Sequence, residues 1–267
     1  MSDNDKAFTG AIPALYDRHL GPFLFQPYAA DLARRAARLA PSAVLETACG
    51  TGIVTRALRS ALPQRAMIVA SDLNQAMLDH AAAQLPAGGI MWRQADATSL
   101  PFADGSFDAV ICQFGVMFFP DKNQGYREAR RVLRPGGTFL FNVWDRIGAN
   151  EAGAIVDEAV ASLFPEDPPH FLARTPYGYH DIGQIRAALE QAGFRDIAIE
   201  TVAQRGRAPT PRDPAIGLCE GSPLRNEITA RGRLDEAVDR AAAALAQRFG
   251  PGPIDTAMQA HVIAART

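Results

Sequence analysis

Three acids each close a short apolar run: Glu46 in ETACG, Asp72 in ASD and Asp96 in QAD. Glu46 leads into Thr47-Ala48-Cys49-Gly50-Thr51-Gly52, small or flexible residues that let a backbone turn tightly and a ligand approach it closely. A carboxylate beside a bare backbone is a poor neighbour for phosphate. It suits a ligand that is cationic or rich in hydroxyls. One such acid is ordinarily a helix cap or a solvated loop residue, but three at successive strand ends indicate a site.

The elements that must position these acids alternate from about residue 31 to 145. AVLETA (43–48), AMIVASD (66–72), IMWRQAD (90–96), FDAVICQFG (107–115) and TFLFNVWD (138–145) have the apolar density of strands. DLARRAARLA (31–40), GIVTRALRSAL (52–62), NQAMLDHAAAQL (74–85) and GYREARRVL (125–133) have helical spacing, with Asp31 placed to cap the first and Asn74 to open the third. Apolar strands separated by helices predict an α/β fold with a doubly wound parallel sheet covered on both faces. In such sheets the ligand crevice lies outside the carboxyl ends of the strands, where the three acids fall. After residue 145 the pattern loosens. Helices are expected at 151–164, at 181–194 capped by Asp181, and at 234–250; strands at 196–204 and 255–266; a polar loop at 205–214. His80 is expected on a helix covering the sheet and His261 in a strand.

The 267 residues are 48% hydrophobic and 21% charged, with a formal net charge of −2. That balance gives no global attraction to nucleic acid, so none is expected as a partner. No apolar run reaches the roughly 18 residues of a membrane span, and MSDNDKAFTG has no cleavage signature, which predicts a cytoplasmic protein. Cys49, Cys112 and Cys219 are scattered and read as reduced thiols, with no metal site and no disulfide. A homodimer is compatible with this composition.

A dinucleotide-binding turn, GxGxxG, would also use glycines here, but the spacing of Gly50 and Gly52 lacks its third glycine. The string instead resembles motif I of the class I S-adenosylmethionine-dependent methyltransferases, acidic-x-G-x-G-x-G, with Glu46, Ala48, Gly50 and Gly52 at matching positions. Ala48 replaces the first glycine, which predicts that the turn at 48 needs no positive φ and that the close approach to a ligand falls on Cys49–Gly52. The resemblance continues through Asp72, Asp96-Ala97, LPFADGSFDAVICQFGVMFFPD (100–121) and EARRVLRPGGTFLFNVW (128–144). It covers about residues 40–145 and is strongest to the branch that contains ubiquinone/menaquinone-biosynthesis C-methyltransferases.

The resemblance implies a Rossmann-like methyltransferase fold: one domain with a seven-stranded sheet, its core at 40–145, and residues 181–267 completing the sheet with an antiparallel seventh strand. It implies S-adenosylmethionine as cofactor, S-adenosylhomocysteine as product and a small, apolar or aromatic acceptor. Glu46 would lie near the methionine ammonium, Asp72 would accept both ribose hydroxyls, and Asp96 with Ala97 would meet the adenine. Backbone of Ala48, Cys49, Gly50, Thr51 and Gly52 would face the ligand. Leu73 and Met77 would be apolar neighbours of the adenosine, and Gln113 would sit at the methionine end. Cys49 is expected to have no nucleophilic role.

Methyl transfer is an in-line displacement that needs an aligned acceptor, and a base only where the acceptor must lose a proton. No clear base is present. Four of five tyrosines and three of five histidines fall in two segments outside the sheet, 13–30 and 165–180. Both are expected within lids, about residues 1–30 and 150–180, that line an acceptor pocket with Tyr16, His19, Tyr28, Phe118, Phe171, Tyr177 and Tyr179. Tyr16 and His180 are the candidate catalytic residues. A non-catalytic cofactor-binding protein and a nicotinamide-dependent oxidoreductase remain as alternatives.

Overall fold

The computed structural model describes residues 10, 12–85 and 89–267. The start of the expected amino-terminal lid, residues 1–9 with residue 11, lies outside them.

The chain enters through a short helix α1 (Ile12–Leu15), a π-helical segment (Tyr16–Phe25) and helix α2 (Gln26–Arg38). Strand β1 (Ala43–Glu46), helix α3 (Ile53–Ala61), strand β2 (Met67–Asp72), helix α4 (Gln75–Gln84), strand β3 (Ile90–Gln94) and strand β4 (Phe107–Gln113) follow. Helix α5 (Lys122–Val132) leads to strand β5 (Leu133–Trp144), then helices α6 (Glu151–Ala161), α7 (Phe171–Arg174) and α8 (Ile182–Gln191). Strand β6 (Arg195–Ala208), helices α9 (Arg212–Cys219), α10 (Leu224–Ala230) and α11 (Leu234–Phe249), and strand β7 (Ile254–Arg266) complete it.

The seven strands form one sheet in the order β3-β2-β1-β4-β5-β7-β6. The first five pair in parallel, and β7 inserts antiparallel between β5 and β6. Order reverses at β1, so the crevice between the carboxyl ends of β1 and β4 is the switch point of the fold. All four residues of β1 are buried. Val44, Leu45, Ile68, Ile111, Phe139 and Phe141 fill the core between the sheet and its helices, each such side chain contributing about 1.5–3 kcal/mol of transfer free energy.

The caps separate by geometry. Asp121 and Asp181 accept from the backbone N–H of Gln124 and Gln184, both at 2.9 Å, and open α5 and α8 as N-caps do. Asp31 does not cap: α2 begins at Gln26, five residues earlier, and Asp31 lies inside it, paired to Arg34 at 2.9 Å and Arg35 at 2.7 Å. Asn74 makes no side-chain cap bond either, because its N–H and amide turn back to Asp72 Oδ1 at 2.8 and 3.5 Å. The polar loop expected from residue 205 begins later, since β6 stays paired with β7 through Ala208, with Arg205 and Arg207 held by Asp255. No helix among the described residues is long and apolar enough to cross a membrane.

Candidate functional site

The loop after β1 is tied to both neighbouring strands. Thr47 N–H donates to Ile111 O and Cys49 N–H to Ser71 O, each at 2.9 Å. Held from two sides, Ala48 takes φ +51°, contrary to the expectation that this turn avoids positive φ. For alanine the left-handed conformation costs about 1 kcal/mol. Ala48 also fixes its neighbour, because a Cβ on Gly115 would stand 2.5 Å from the Ala48 methyl. Gly50 (φ +55°) needs glycine for its conformation, and a Cβ there would meet nothing within 4 Å.

Outside the carboxyl ends of the parallel strands lies a cavity open to solvent, with about 780 Å³ of empty space counted out to its mouth. Ala48 and Gly50 line it, with Asp72, Leu73, Asn74 and Met77 after β2, Ala95, Asp96 and Ala97 after β3, and Gln113 to Gly115 after β4. Phe118, Phe119, Pro120 and Tyr16 close it. Asp72 is the anchor of this site. Its Oδ2 accepts from Gly50 N–H at 2.9 Å and keeps a lone pair for a further donor, while its Oδ1 accepts from Asn74 N–H at 2.8 Å and from the Asn74 amide at 3.5 Å, the long bond that a ligand donor would displace. Burial holds its carboxyl above the ordinary range, opposed by those N–H donors. Asp96 closes an Asx turn, accepting from Thr98 N–H and Oγ1 at 2.8 and 2.7 Å. Gln113 donates to Phe25 O at 3.3 Å, while its buried Oε1 has no partner. Among the described residues, no lysine or arginine lines the cavity.

Four of the expected cofactor residues do not line it. Glu46 is turned beneath the loop, 1% exposed, accepting from Thr55 Oγ1 at 2.6 Å. Burial, with Asp72 nearby, pushes its carboxyl up to about 8, although Thr55 and Arg56 oppose the shift. Cys49 packs against Ala70 and Leu78, and burial raises its thiol well above the ordinary value, which removes a thiolate nucleophile. Gly52 faces Ala81, where a Cβ would stand 3.0 Å away, so this glycine serves helix–loop packing. Buried Thr51 faces the amino-terminal segment, donating from Oγ1 to Asp17 at 3.0 Å. The close approach expected of Cys49–Gly52 therefore narrows to Gly50.

A second cavity, of about 480 Å³, abuts the first. Tyr16, Phe114 and Phe118 line both and form their common wall. Phe25, Trp144, Phe171 and Tyr177 add four more rings; Leu20, Leu24, Met117, Leu172 and Leu218 fill between them, and among the described residues no charged side chain lines this chamber. The rings support one another: Tyr16 stacks on Phe25 at 4.8 Å, and Phe114 on Trp144 at 3.8 Å. Phe114 holds φ +51°. Its N–H is fixed by the carbonyl and Oδ1 of Asn142 at 3.2 and 3.0 Å, which sets the ring at the junction.

The structure thus brings Tyr16, Phe118, Phe171 and Tyr177 together and places four other expected pocket or catalytic residues elsewhere. His19 pairs with Asp213 at 3.3 Å. Tyr28 is fully buried, donating from its hydroxyl to Val202 O at 3.0 Å. The Tyr179 hydroxyl lies 3.2 Å from that of Tyr126, and Lys122 Nζ stands 4.9 Å from its ring. His180 Nδ1 sits 2.9 Å from Tyr177 O and lines neither cavity. In each case an aromatic or imidazole that could serve a pocket instead anchors packing. Desolvation raises the Tyr16 hydroxyl above its ordinary value, with Asp72 and Asp17 adding to the effect, so it is a neutral donor and not a base. His80 and His261 lie on α4 and β7, as read from the sequence; burial lowers His261, which sits 3.0 Å from Thr201 Oγ1.

Sequence reasoning missed Asp17. Its Oδ1 accepts from Thr51 Oγ1 and from Arg56 Nη2 at 3.1 Å, and its Oδ2 lies 3.4 Å from His80 Nε2. This clasp fastens the π-helical segment, and with it Tyr16, to the glycine loop. Trp144 was missed too, although its place at the carboxyl end of β5 follows the rule that located the acids.

A methyltransferase-domain family model matches residues 45–141. A ubiquinone/menaquinone biosynthesis C-methyltransferase of Hahella chejuensis is 33% identical over 172 residues, covering 58% of this chain and 68% of that relative. A demethylmenaquinone methyltransferase of Mycolicibacterium vanbaalenii is 33% identical over 174 residues, covering 61% and 73%. Phosphoethanolamine N-methyltransferase 2 of Haemonchus contortus, solved with S-adenosyl-L-methionine, shares the fold across 100% of this chain and 60% of its own, at TM-score 0.62 and 17% identity. Sheet order and sequence kinship together define an S-adenosylmethionine-dependent methyltransferase. The chain belongs to the class I family of these enzymes, in the branch that resembles the ubiquinone/menaquinone C-methyltransferases.

Proposed function

We propose that the enzyme methylates a small apolar or aromatic molecule held in the second cavity, while the first holds the cofactor. The observation that carries this reading is the shared wall of Tyr16, Phe114 and Phe118 between a cavity that, among the described residues, has two carboxylates and one that has no charged side chain. The residues of the first cavity fit S-adenosylmethionine. The unpartnered Gln113 Oε1 is an acceptor awaiting a donor, the space above Gly50 would be filled by any side chain, and acids without cations suit a phosphate-free sulfonium and ammonium. When bound, the cofactor supplies an activated methyl for in-line displacement.

Asp72 would accept the ribose hydroxyls, one on the free lone pair of Oδ2 and one in place of the Asn74 amide, Asp96 and Ala97 would meet the adenine, and Leu73 with Met77 would cover its apolar faces. Gln113 would hold the methionine end. Glu46 supports the loop from behind. Tyr16 orients and excludes water at the junction, since its raised hydroxyl holds its proton at neutral pH. Charge-assisted hydrogen bonds of the Asp72 type are the strong ones in such a site. Catalysis then rests on alignment across the aromatic wall more than on proton transfer.

Two measurements test this. Calorimetry with S-adenosylhomocysteine should show one site per chain, and its absence would sink the cofactor assignment. Isotope-labelled S-adenosylmethionine incubated with a metabolite extract should yield labelled products that carry an apolar or aromatic body by mass spectrometry. Label appearing only in acidic, polar products would overturn the acceptor reading.

A further inference from the structure

We infer that the acceptor is an apolar amine, which enters neutral and leaves as a methylated ammonium ion held by the aromatic walls of the second cavity. The inference rests on that cavity being the acceptor site.

The first ground is the absence of a base. Among the described residues, no Asp, Glu, His, Lys or Arg side chain lines the chamber. Its two phenols, Tyr16 and Tyr177, are both raised by burial and stay protonated. Its one aliphatic hydroxyl is spoken for, with Ser222 Oγ donating to Leu218 O at 2.6 Å and accepting from Leu224 N–H at 3.2 Å. A phenol, a thiol or an acidic carbon would have to surrender its proton to some group, and the chamber holds none. An acceptor that arrived already anionic would lose its hydration with no counter-charge to meet it. A neutral amine carries its lone pair ready. The nitrogen lone pair forms the new N–C bond as the C–S bond breaks, the pair of that bond remains on sulfur, and the positive charge passes from sulfur to nitrogen. A secondary amine sheds its N–H proton to solvent after release; a tertiary amine has none to shed.

The second ground is what the chamber offers to the charge created. Seven aromatic side chains of the described residues line it. Two of them, Tyr16 and Phe114, are each stacked on one face by another ring, which fixes them in place. Ring faces attract desolvated cations, and trimethylated ammonium groups are the ligands such cages recognise. The same walls, with five aliphatic leucine and methionine side chains between them, favour an apolar body on the amine.

The test uses the whole protein saturated with S-adenosylhomocysteine and titrated calorimetrically with benzyltrimethylammonium and with neopentylbenzene, its uncharged isostere. The cation should bind at least tenfold tighter. Phe171→Leu, which removes a ring from the second cavity only, should cut that preference at least threefold. Equal or tighter binding of neopentylbenzene overturns the inference, as does turnover of p-cresol or benzyl mercaptan where N,N-dimethylbenzylamine is left unmethylated. Failure of S-adenosylhomocysteine itself to bind is a different result and condemns the cofactor reading beneath. If it binds while neither aromatic probe does, the assignment of the second cavity falls and the inference falls with it.

Discussion

The two cavities are built from the same rim by opposite means. The first is polar and strung along consecutive strand ends: Asp72, Asp96 and Gly50 sit where β2, β3 and the β1 loop stop, and backbone N–H groups hold the key carboxylate. The second is apolar and assembled from remote pieces: residues 16–25, 114–118, 144, 171–177 and 218–223. In the first, charge is tolerated because the backbone supplies donors at each oxygen. In the second, excluding charge makes alignment and ring contact the only means of recognition. Ala48 and Phe114, both with φ +51° and two of the four described non-glycine residues with positive φ, flank this division.

Four substitutions would break or sharpen this contrast. Asp72→Ala has the largest effect: losing two charge-assisted hydrogen bonds of about 2 kcal/mol each should weaken S-adenosylhomocysteine about a thousandfold. Binding in the aromatic chamber should persist, and an unchanged cofactor affinity by calorimetry would erase the polar half of the comparison.

Glu46→Gln comes next and is read by thermal unfolding against pH. Burial lifts the folded carboxyl from 4.5 to about 8. Its neutral form therefore contributes stability that is full below the unfolded value and lost as pH rises through 8. At about 1.4 kcal/mol per unit, the cofactor-free wild type should lose about 3–4 kcal/mol relative to the glutamine variant between about pH 5 and pH 8. Parallel curves would show that Glu46 is ionised in the folded state.

Leu218→Phe adds a ring's volume to the second cavity alone. It should lower kcat/KM for the acceptor about tenfold, or about 1.4 kcal/mol, with S-adenosylhomocysteine affinity within twofold of wild type. A loss of cofactor affinity would show that the two cavities are not separable.

Ala48→Gly is the smallest. Relief of the positive φ opposes the entropy a glycine adds to the unfolded chain, so stability should rise by less than about 1 kcal/mol. A fall in Tm would mean that the Ala48 methyl against Gly115 outweighs the strain.

Much of this was legible before any fold was known. The apolar runs at 43–45, 68–70 and 109–112 are uninterrupted because these stretches are buried on both faces, and Glu46, Asp72 and Gln113 end their strands because the rim is where polarity returns. Asp181 announced its helix because capping is a local bond. Asn74 opens its helix as expected, though its amide turns to Asp72; Asp31 misled, because a capping residue type near a helix start says nothing of whether Arg34 and Arg35 will claim it first. Ala48 misled because its φ is imposed by hydrogen bonds to β2 and β4, residues distant in sequence.

What the sequence determined by itself is the doubly wound sheet, the acids on its rim and the kinship that names the cofactor. These are short-range patterns, carried by residues that act where they stand. Tertiary structure alone decided which side chains share a chamber. It turned Glu46, Cys49, Thr51 and Gly52 away from the first cavity, sent His19, Tyr28, Tyr179 and His180 to packing roles, and fastened Tyr16 over the loop through Asp17. An aromatic ring has no sequence signal for pocket against core, because both demand the same burial; only the path of the rest of the chain tells them apart.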